Sequence, residues 1–313
     1  MFGKEAALYV PTGTMGNLAA IMAHCWNRGE EIIVGDLSHI HQFEQGGIAQ
    51  LGHIHSRTVK NNEDGTFCLL ELESKIRKKY EQHFPISTLV CIENTHNWCN
   101  GSPLDFDFIS DVCRVSKSYN LKVHVDGARI FNASVKQQIP VAKLVENCDS
   151  ISVCLSKGLC CPIGSLVIGE KQFIQRVHRC RKVLGGGMRQ VGHMAATGIV
   201  ALKTMVNRLA DDHKHAEMIA KAFNSYGNGF VKIDPKLVKT NILFVETDPQ
   251  VITAHQYTAL LRQPSEINGE KVVIKANAIS DSKFRVVTNA NVSEDDVLVM
   301  VDKIKQINEK IAK

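Results

Sequence analysis

Lys122-Val-His-Val-Asp-Gly-Ala-Arg-Ile-Phe-Asn132, followed one apolar run later by Ile151-Ser-Val-Cys-Leu-Ser-Lys-Gly158, decides the fold. Val123–Val125 and Ser152–Leu155 are short, rich in β-branched residues and bounded by turn signals, so both read as buried strands. Asp126 stands just beyond the first and Lys157 just beyond the second. In an open α/β sheet, ligands gather at the carboxyl ends of strands. An aspartate that keeps a pyridine nitrogen protonated and a lysine that holds an aldehyde as a Schiff base are the complementary halves of a pyridoxal 5′-phosphate site. The pair is read as such a site.

The rest of the chain is compatible with that reading. Its 313 residues suffice for one large domain or two unequal ones. Hydrophobic content of 44%, charged content of 22% and a mean hydropathy of −0.08 argue against disorder, and no apolar run has the length of a membrane helix. The start, Met1-Phe-Gly-Lys-Glu-Ala-Ala7, lacks the pattern of a secretory signal. A net charge of +5, spread among acids rather than blocked, suggests a solvated surface and no nucleic-acid partner. The ten cysteines fall mostly in apolar runs, as Cys91, Cys113 and Cys154 do, and read as reduced thiols of a cytoplasmic protein. Neither the adjacent Cys160-Cys161 nor the Cys91 to Cys99 spacing matches a zinc site, and no metal is expected.

Strands expected near Ile32–Val34, Thr88–Ile92, Val123–Val125, Ile151–Leu155 and Ser165–Ile168 alternate with helices expected over Leu69–Phe84, Asp105–Tyr119 and Val141–Asn147. The alternation predicts an α/β large domain with a mostly parallel sheet. After Gly185-Gly186-Gly187, the stretch Ala195–Phe223 reads as one long helix or a broken pair linking two domains. Beyond it the pattern changes: strands near Phe230–Ile233, Ile242–Glu246, Lys271–Ile274 and Lys283–Thr288, with helices near Val251–Arg262 and Glu294–Ala312. The expected division is a cofactor-binding domain over residues 1–205 and a smaller α+β domain over 206–313. No internal repeat is evident.

Thr12-Gly13-Thr14 follows the apolar Ala6–Val10 and opens a helix through Asn17-Leu18-Ala19-Ala20. Such a turn presents backbone N–H groups, hydroxyls and a helix N-terminus to a phosphate, and glycine permits close approach. A plain N-cap is the alternative. Likewise Asp126-Gly127 by itself fits an ordinary turn, and Lys157 and Arg129 fit solvated cations. What favours function is the conjunction: a phosphate turn, an acid at one strand end and a lysine at the next, in that order.

Taken together, Gly3-Lys-Glu-Ala-Ala7, Pro11-Thr-Gly-Thr14, His39 through Phe43-Glu-Gln-Gly-Gly47, Glu93-Asn-Thr-His-Asn97, His124 through Ala133, Leu155-Ser-Lys-Gly-Leu159 with Pro162-Ile-Gly164, and Arg181-Lys182 with Gly185-Gly-Gly-Met-Arg-Gln190 run in order over nearly the whole chain. This sequence resembles the low-specificity L-threonine aldolases, homo-oligomeric pyridoxal-phosphate enzymes of the aspartate-aminotransferase fold. The resemblance implies that Lys157 is the Schiff-base lysine, Asp126 the partner of the pyridine nitrogen, and Thr12, Gly13 and Thr14 the phosphate turn. It also implies a place for Arg129 near the ring hydroxyl and substrate carboxylate. Arg285, in Phe284-Arg-Val-Val-Thr288, becomes a second carboxylate arginine; forked donors suit that task. His39 is implied to stack on the cofactor ring and His96 to stand near the substrate β-hydroxyl, where a neutral imidazole accepts a proton. The other eleven of the thirteen histidines receive no role. Lys182 and Arg189 fall where the family's neighbouring subunit approaches the site.

Two departures bear on the comparison. In the family, several dozen residues precede the segment matching Phe2-Gly3-Lys4 and carry a Ser-Asp-Thr motif near the substrate carboxylate and a tyrosine-bearing interface loop; the sequence starts at that segment. Cys160-Cys161 replace the usual small residues after Lys-Gly-Leu, thiols near enough in sequence to attack the cofactor aldehyde. The expected reaction is aldol cleavage of L-threonine or L-allo-threonine to glycine and an aldehyde by a homodimer or homotetramer. Alternatives on the same cofactor are transamination, racemisation or β-elimination; outside catalysis, the alternative is a noncatalytic homologue that keeps the fold.

Overall fold

The computed structural model describes every residue except Lys79 and Asn268. It divides into two compact units, Met1–Asn207 and Arg208–Lys313.

Seven strands form the sheet of the first unit: β1 (Ala6–Val10), β2 (Glu30–Gly35), β3 (His55–Val59), β4 (Ile86–Glu93), β5 (Lys122–Asp126), β6 (Ser150–Cys154) and β7 (Ser165–Gly169), in the spatial order β1-β7-β6-β5-β4-β2-β3. Pairing is parallel from β6 to β3, and β7 alone runs against both its neighbours. This is the expected mostly parallel α/β sheet. The central strands are buried almost end to end, as a sheet covered on both faces requires. Strand β3 has no counterpart among the expected strands. Its sequence, His-Ser-Arg-Thr-Val, carries an apolar residue only at its end because it lies at an edge.

Small residues let the helix Gly13–His24 approach this sheet. A Cβ on Gly16 would lie 3.3 Å from methyls of both Val10 and Val167, and one on Gly13 would lie 2.7 Å from Cys154 Sγ. Gly16, Ala19, Ala20 and Ala23 are all buried. Polar side chains seven residues apart, at Asn17 and His24, consequently share the sheet-facing side two turns apart.

Helix lengths differ in places from the periodicity. The helix expected over Leu69–Phe84 stops at Lys75; Ile76 turns extended and is buried, and Arg77 Nε reaches the buried Glu31 carboxylate at 2.9 Å. The burial of Ile76 and the Arg77–Glu31 pair outweigh continued helical hydrogen bonding, while Lys79 within that stretch lies outside the described residues. The helix expected over Val141–Asn147 covers only Val141–Leu144. The stretch Ala195–Phe223 is a broken pair, Gly192–Thr204 and Leu209–Tyr226.

In the second unit an antiparallel sheet runs β12-β13-β9-β8, built from β8 (Val231–Lys232), β9 (Ile242–Thr247), β12 (Asn277–Ala278) and β13 (Lys283–Val287), beside the hairpin of β10 (Ser265–Ile267) and β11 (Glu270–Val272). Helices Leu209–Tyr226, Ala254–Arg262 and Glu294–Ile311 complete an α+β unit. The helix expected from Val251 starts at Ala254 because Thr253 and Gln256 form a capping box. Its core is aromatic: fully buried Phe284 lies 5.6 Å from Phe223 and 5.4 Å from Tyr257, ring centre to ring centre.

Candidate active site

The parallel strands bring their carboxyl ends to one edge of the first unit. Register aligns Glu93 with Asp126 and Asp126 with Ser152, so the last residues of β4 and β5 stand side by side with β6 next to them. Lys157 follows β6 in a tight turn, held by Cys160 N donating to Lys157 O at 2.9 Å and Leu155 N to Gly164 O at 3.0 Å.

Pro11, Thr12, Gly13, Thr14, Asn17, His39, Glu44, Asp126, Cys154 and Lys157 line a cavity of about 270 Å³, at the small end of ligand sites. Six of the sequence-derived residues, Thr12, Gly13, Thr14, His39, Asp126 and Lys157, therefore meet. Thr12 is also the N-cap of its helix, accepting from Met15 N at 3.1 Å, so the plain cap and the cavity position coincide in one residue.

His96 and Arg129 stand apart from the cavity lining. His96 is 1% exposed, its Nε2 3.9 Å from Glu93 Oε2, and neither ring nitrogen has a hydrogen-bond partner among the described residues. Burial pushes its pKa down to about 4, so the ring is neutral. Arg129 is partly buried and donates from Nη1 to Asn97 Oδ1 at 3.1 Å. Arg285 lies on β13 in the second unit, paired in register with Phe244.

Three acids and amides escaped sequence reasoning. Asn17 Nδ2 donates to Asp126 Oδ2 at 2.9 Å and to Glu44 Oε1 at 2.8 Å. Glu44, 4% exposed, also receives His39 Nδ1 at 3.1 Å. Glu93 accepts from the backbone N–H groups of His39 at 2.7 Å and Asn97 at 2.8 Å, tying two segments of the site to the end of β4. The Glu44 hydrogen bond raises the His39 pKa, while burial raises that of Glu44 and pushes that of Glu93 up to about 7, with Asp126 adding to the effect on both acids. Asn17, Glu44 and Glu93 all stood inside quoted motifs; a polar residue within the apolar run after Gly13 was the available signal at Asn17. Donor atoms of His39, Glu44 and Asp126 lie within 4.8 Å of one another, a cation-sized grouping. The Asn17 amide already engages one oxygen of each acid, so we read the group as an anchor for Asp126 and His39.

The residues present fit pyridoxal phosphate. A primary amine and a buried carboxylate face one cavity, and a helix starts beside them with the side chains of Thr12 and Thr14 exposed and no room for a Cβ on Gly13. The fold and this donor set define a pyridoxal-phosphate enzyme of the mostly parallel α/β type.

Comparison with known proteins agrees. Residues 1–249 match the family described as Beta-eliminating lyase. The chain is 47% identical over 245 residues to a probable low-specificity L-threonine aldolase 2 of Arabidopsis thaliana, spanning 78% of this chain and 68% of that protein. It is 42% identical over 299 residues to the low-specificity L-threonine aldolase 1 of the same plant, spanning 95% of this chain and 81% of that protein. In fold it is similar to the crystal structure of a putative L-allo-threonine aldolase from Listeria monocytogenes, with a TM-score of 0.79, 19% identity, and coverage of 97% of this chain and 83% of that one. The chain belongs to the beta-eliminating lyase family and, within it, to the low-specificity L-threonine aldolases.

Proposed function

We propose that the protein cleaves the Cα–Cβ bond of L-threonine, L-allo-threonine and related β-hydroxy-α-amino acids, giving glycine and an aldehyde such as acetaldehyde. The observation that carries this reading is the convergence of Lys157, Asp126 and the Thr12-Gly13-Thr14 turn on one cavity, in a chain 40–47% identical to proteins named low-specificity L-threonine aldolases.

Bound pyridoxal phosphate would supply an electron sink for the pair released when that bond breaks. Lys157 presents its amine to the cofactor aldehyde. Asp126 is 2% exposed, fixed by Asn17 and by Ala128 N at 3.1 Å, and presents a carboxylate to the pyridine nitrogen. Thr12, Gly13 and Thr14 bind the phosphate. Arg129 would bind the substrate carboxylate and so help to orient the bond that breaks; Arg285, in the second unit, offers a second guanidinium suited to a carboxylate. For the β-hydroxyl proton, His39 lines the cavity with Nδ1 committed to Glu44, which leaves Nε2 to exchange a proton. His96, neutral and behind Glu93, is a second acceptor.

A homo-oligomer fits the exposed apolar side chains of Ile199 and Val200, 57% and 60% exposed on the helix Gly192–Thr204, and Val183 at 75%. A cytoplasmic setting fits eight buried free thiols. No helix among the described residues is long and apolar enough to cross a membrane.

Product analysis tests the reaction. With L-threonine and pyridoxal phosphate, equimolar glycine and acetaldehyde are expected, whereas a 2-oxo acid would establish transamination or elimination. Lys157→Ala is expected to lose both turnover and the borohydride-sensitive absorbance of the bound cofactor; retained activity would overturn the assignment.

A further inference from the structure

We infer that His24, Ser150, His124 and Asn17 form a one-way hydrogen-bond relay that ends on Asp126 and sets the tautomer of both histidines, making Asn17, His124 and Ser150 positioning residues for that carboxylate. The inference rests on Asp126 facing the cofactor nitrogen.

The direction of each bond follows from the Asn17 amide. Two carboxylate oxygens, Glu44 Oε1 at 2.8 Å and Asp126 Oδ2 at 2.9 Å, lie against one end of it. Carboxylates only accept, so that end is the NH₂ group and both its hydrogens are used. Oδ1 then points to Ser152 Oγ, which donates to it, and to His124 Nε2 at 3.3 Å. Facing an acceptor, His124 Nε2 must carry the hydrogen. Nδ1 of the neutral ring is then an acceptor, and it lies 2.8 Å from Ser150 Oγ, which must donate to it. The Ser150 oxygen in turn accepts from His24 Nε2 at 2.7 Å. Every bond in the chain donates toward Asp126.

Burial keeps the relay in this form. Asn17, His124, Ser150, Ser152 and Asp126 are each at most 2% exposed. Burial also holds His124 and His24 neutral, each with a pKa pushed down to about 3. The lattice of positions comes from two periods in step: Asn17 and His24 two helical turns apart, His124 and Asp126 two residues apart on β5, and Ser150 and Ser152 opposite them on β6. Apolar residues fill most such helix–sheet contacts, since buried polar groups are costly unless each is satisfied. Here the polar positions are mutually satisfied and all lead to one carboxylate. Donors lined up on it fix its orientation.

Two measurements on the intact protein test the relay. Long-range ¹⁵N–¹H correlation spectra of the ¹⁵N-histidine-labelled protein are expected to show His124 and His24 neutral and protonated on Nε2; an Nδ1-protonated His124 would overturn the inference. Absorbance titration with pyridoxal phosphate gives the second readout. His124→Phe is expected to weaken cofactor binding about tenfold, the upper end of what one neutral hydrogen bond contributes, and Ser150→Ala by less. His124→Gln, whose amide nitrogen replaces Nε2 as donor to Asn17, is expected to restore binding to within about threefold of the parent. If His124→Phe does not fold, Ser150→Ala and the tautomer decide. Asp126→Asn separates the two levels: if it weakens binding while His124→Phe and Ser150→Ala bind like the parent, the relay is wrong and the site stands. Unchanged binding in Asp126→Asn would remove the site reading itself.

Discussion

Replacing Gly13 by alanine sets two effects of opposite sign against each other at the start of the helix Gly13–His24. Alanine loses less backbone entropy than glycine in a helix, a gain of about 0.5–1 kcal/mol. The added Cβ would meet Cys154 Sγ at 2.7 Å, with Ser165 Oγ next at 3.7 Å. Overpacking a filled core costs about 1–3 kcal/mol, so the net effect is a loss of roughly 1 kcal/mol, or about 2–4 °C in melting temperature for a unit of this size. Cys154→Ala removes the sulfur and with it the clash. In that background Gly13→Ala is expected to raise the melting temperature of the cofactor-free protein, followed by circular dichroism, and the same pair should differ in cofactor affinity, because the turn lines the cavity. A coupling of about 1–2 kcal/mol between the two positions is within the range for side chains in contact. Equal shifts in both backgrounds would refute the close approach of Gly13 to Cys154 as the reason a side chain is excluded there.

Asp126→Asn keeps the shape but removes the charge, and should lower kcat by about 10²–10³-fold, as the loss of one electrostatic group does; a rate within threefold of the parent would count against its contact with the ring. If His39 is the proton acceptor, kcat/KM falls as pH drops through a His39 pKa that Glu44 raises above the usual value near 6.5. Glu44→Gln weakens the hydrogen bond chiefly responsible by making its acceptor neutral, so the acid limb of the pH profile should move to lower pH, and an unmoved limb would assign the proton to another group. Gly65 sits at φ +86 with its would-be Cβ 2.7 Å from that of His96. Gly65→Ala should therefore destabilise by about 2–5 kcal/mol, combining left-handed strain and overpacking, and a shift below about 1 kcal/mol by urea unfolding would contradict the packing described.

Sequence was informative where the signal is local. Strands β4, β5 and β6 announce themselves as apolar runs because both their faces are covered, and Asp126 and Lys157 are legible because each stands at the seam between such a run and a turn. β3 has one covered edge and only one apolar residue to show for it. Leu69–Phe84 kept a helical period past Lys75 because periodicity does not register that Arg77 is drawn to Glu31, a partner in another strand. The same limit hid the inner half of the site. Asn17 bonds Asp126 across 109 positions and Ser152 across 135, and no window of sequence spans such pairs. His24 and His124, left without a role among thirteen histidines, acquire one only when the helix is laid on β5 and β6.

The reversed strand β7 has a consequence for the order in which the molecule comes into being. Among the described residues, β1 has no neighbour in the sheet other than β7, with Val10 opposite Ser165 and Ala6 opposite Gly169. During synthesis at about 5–20 residues per second, β1 leaves the ribosome roughly 10–30 s before its partner exists. Strands β2 to β6 can pair meanwhile, but the Thr12-Gly13-Thr14 turn hangs from the waiting strand. The phosphate end of the cavity thus waits for the strand that follows Lys157, and a nascent chain can retain cofactor only once the hairpin bearing Lys157 has closed the sheet.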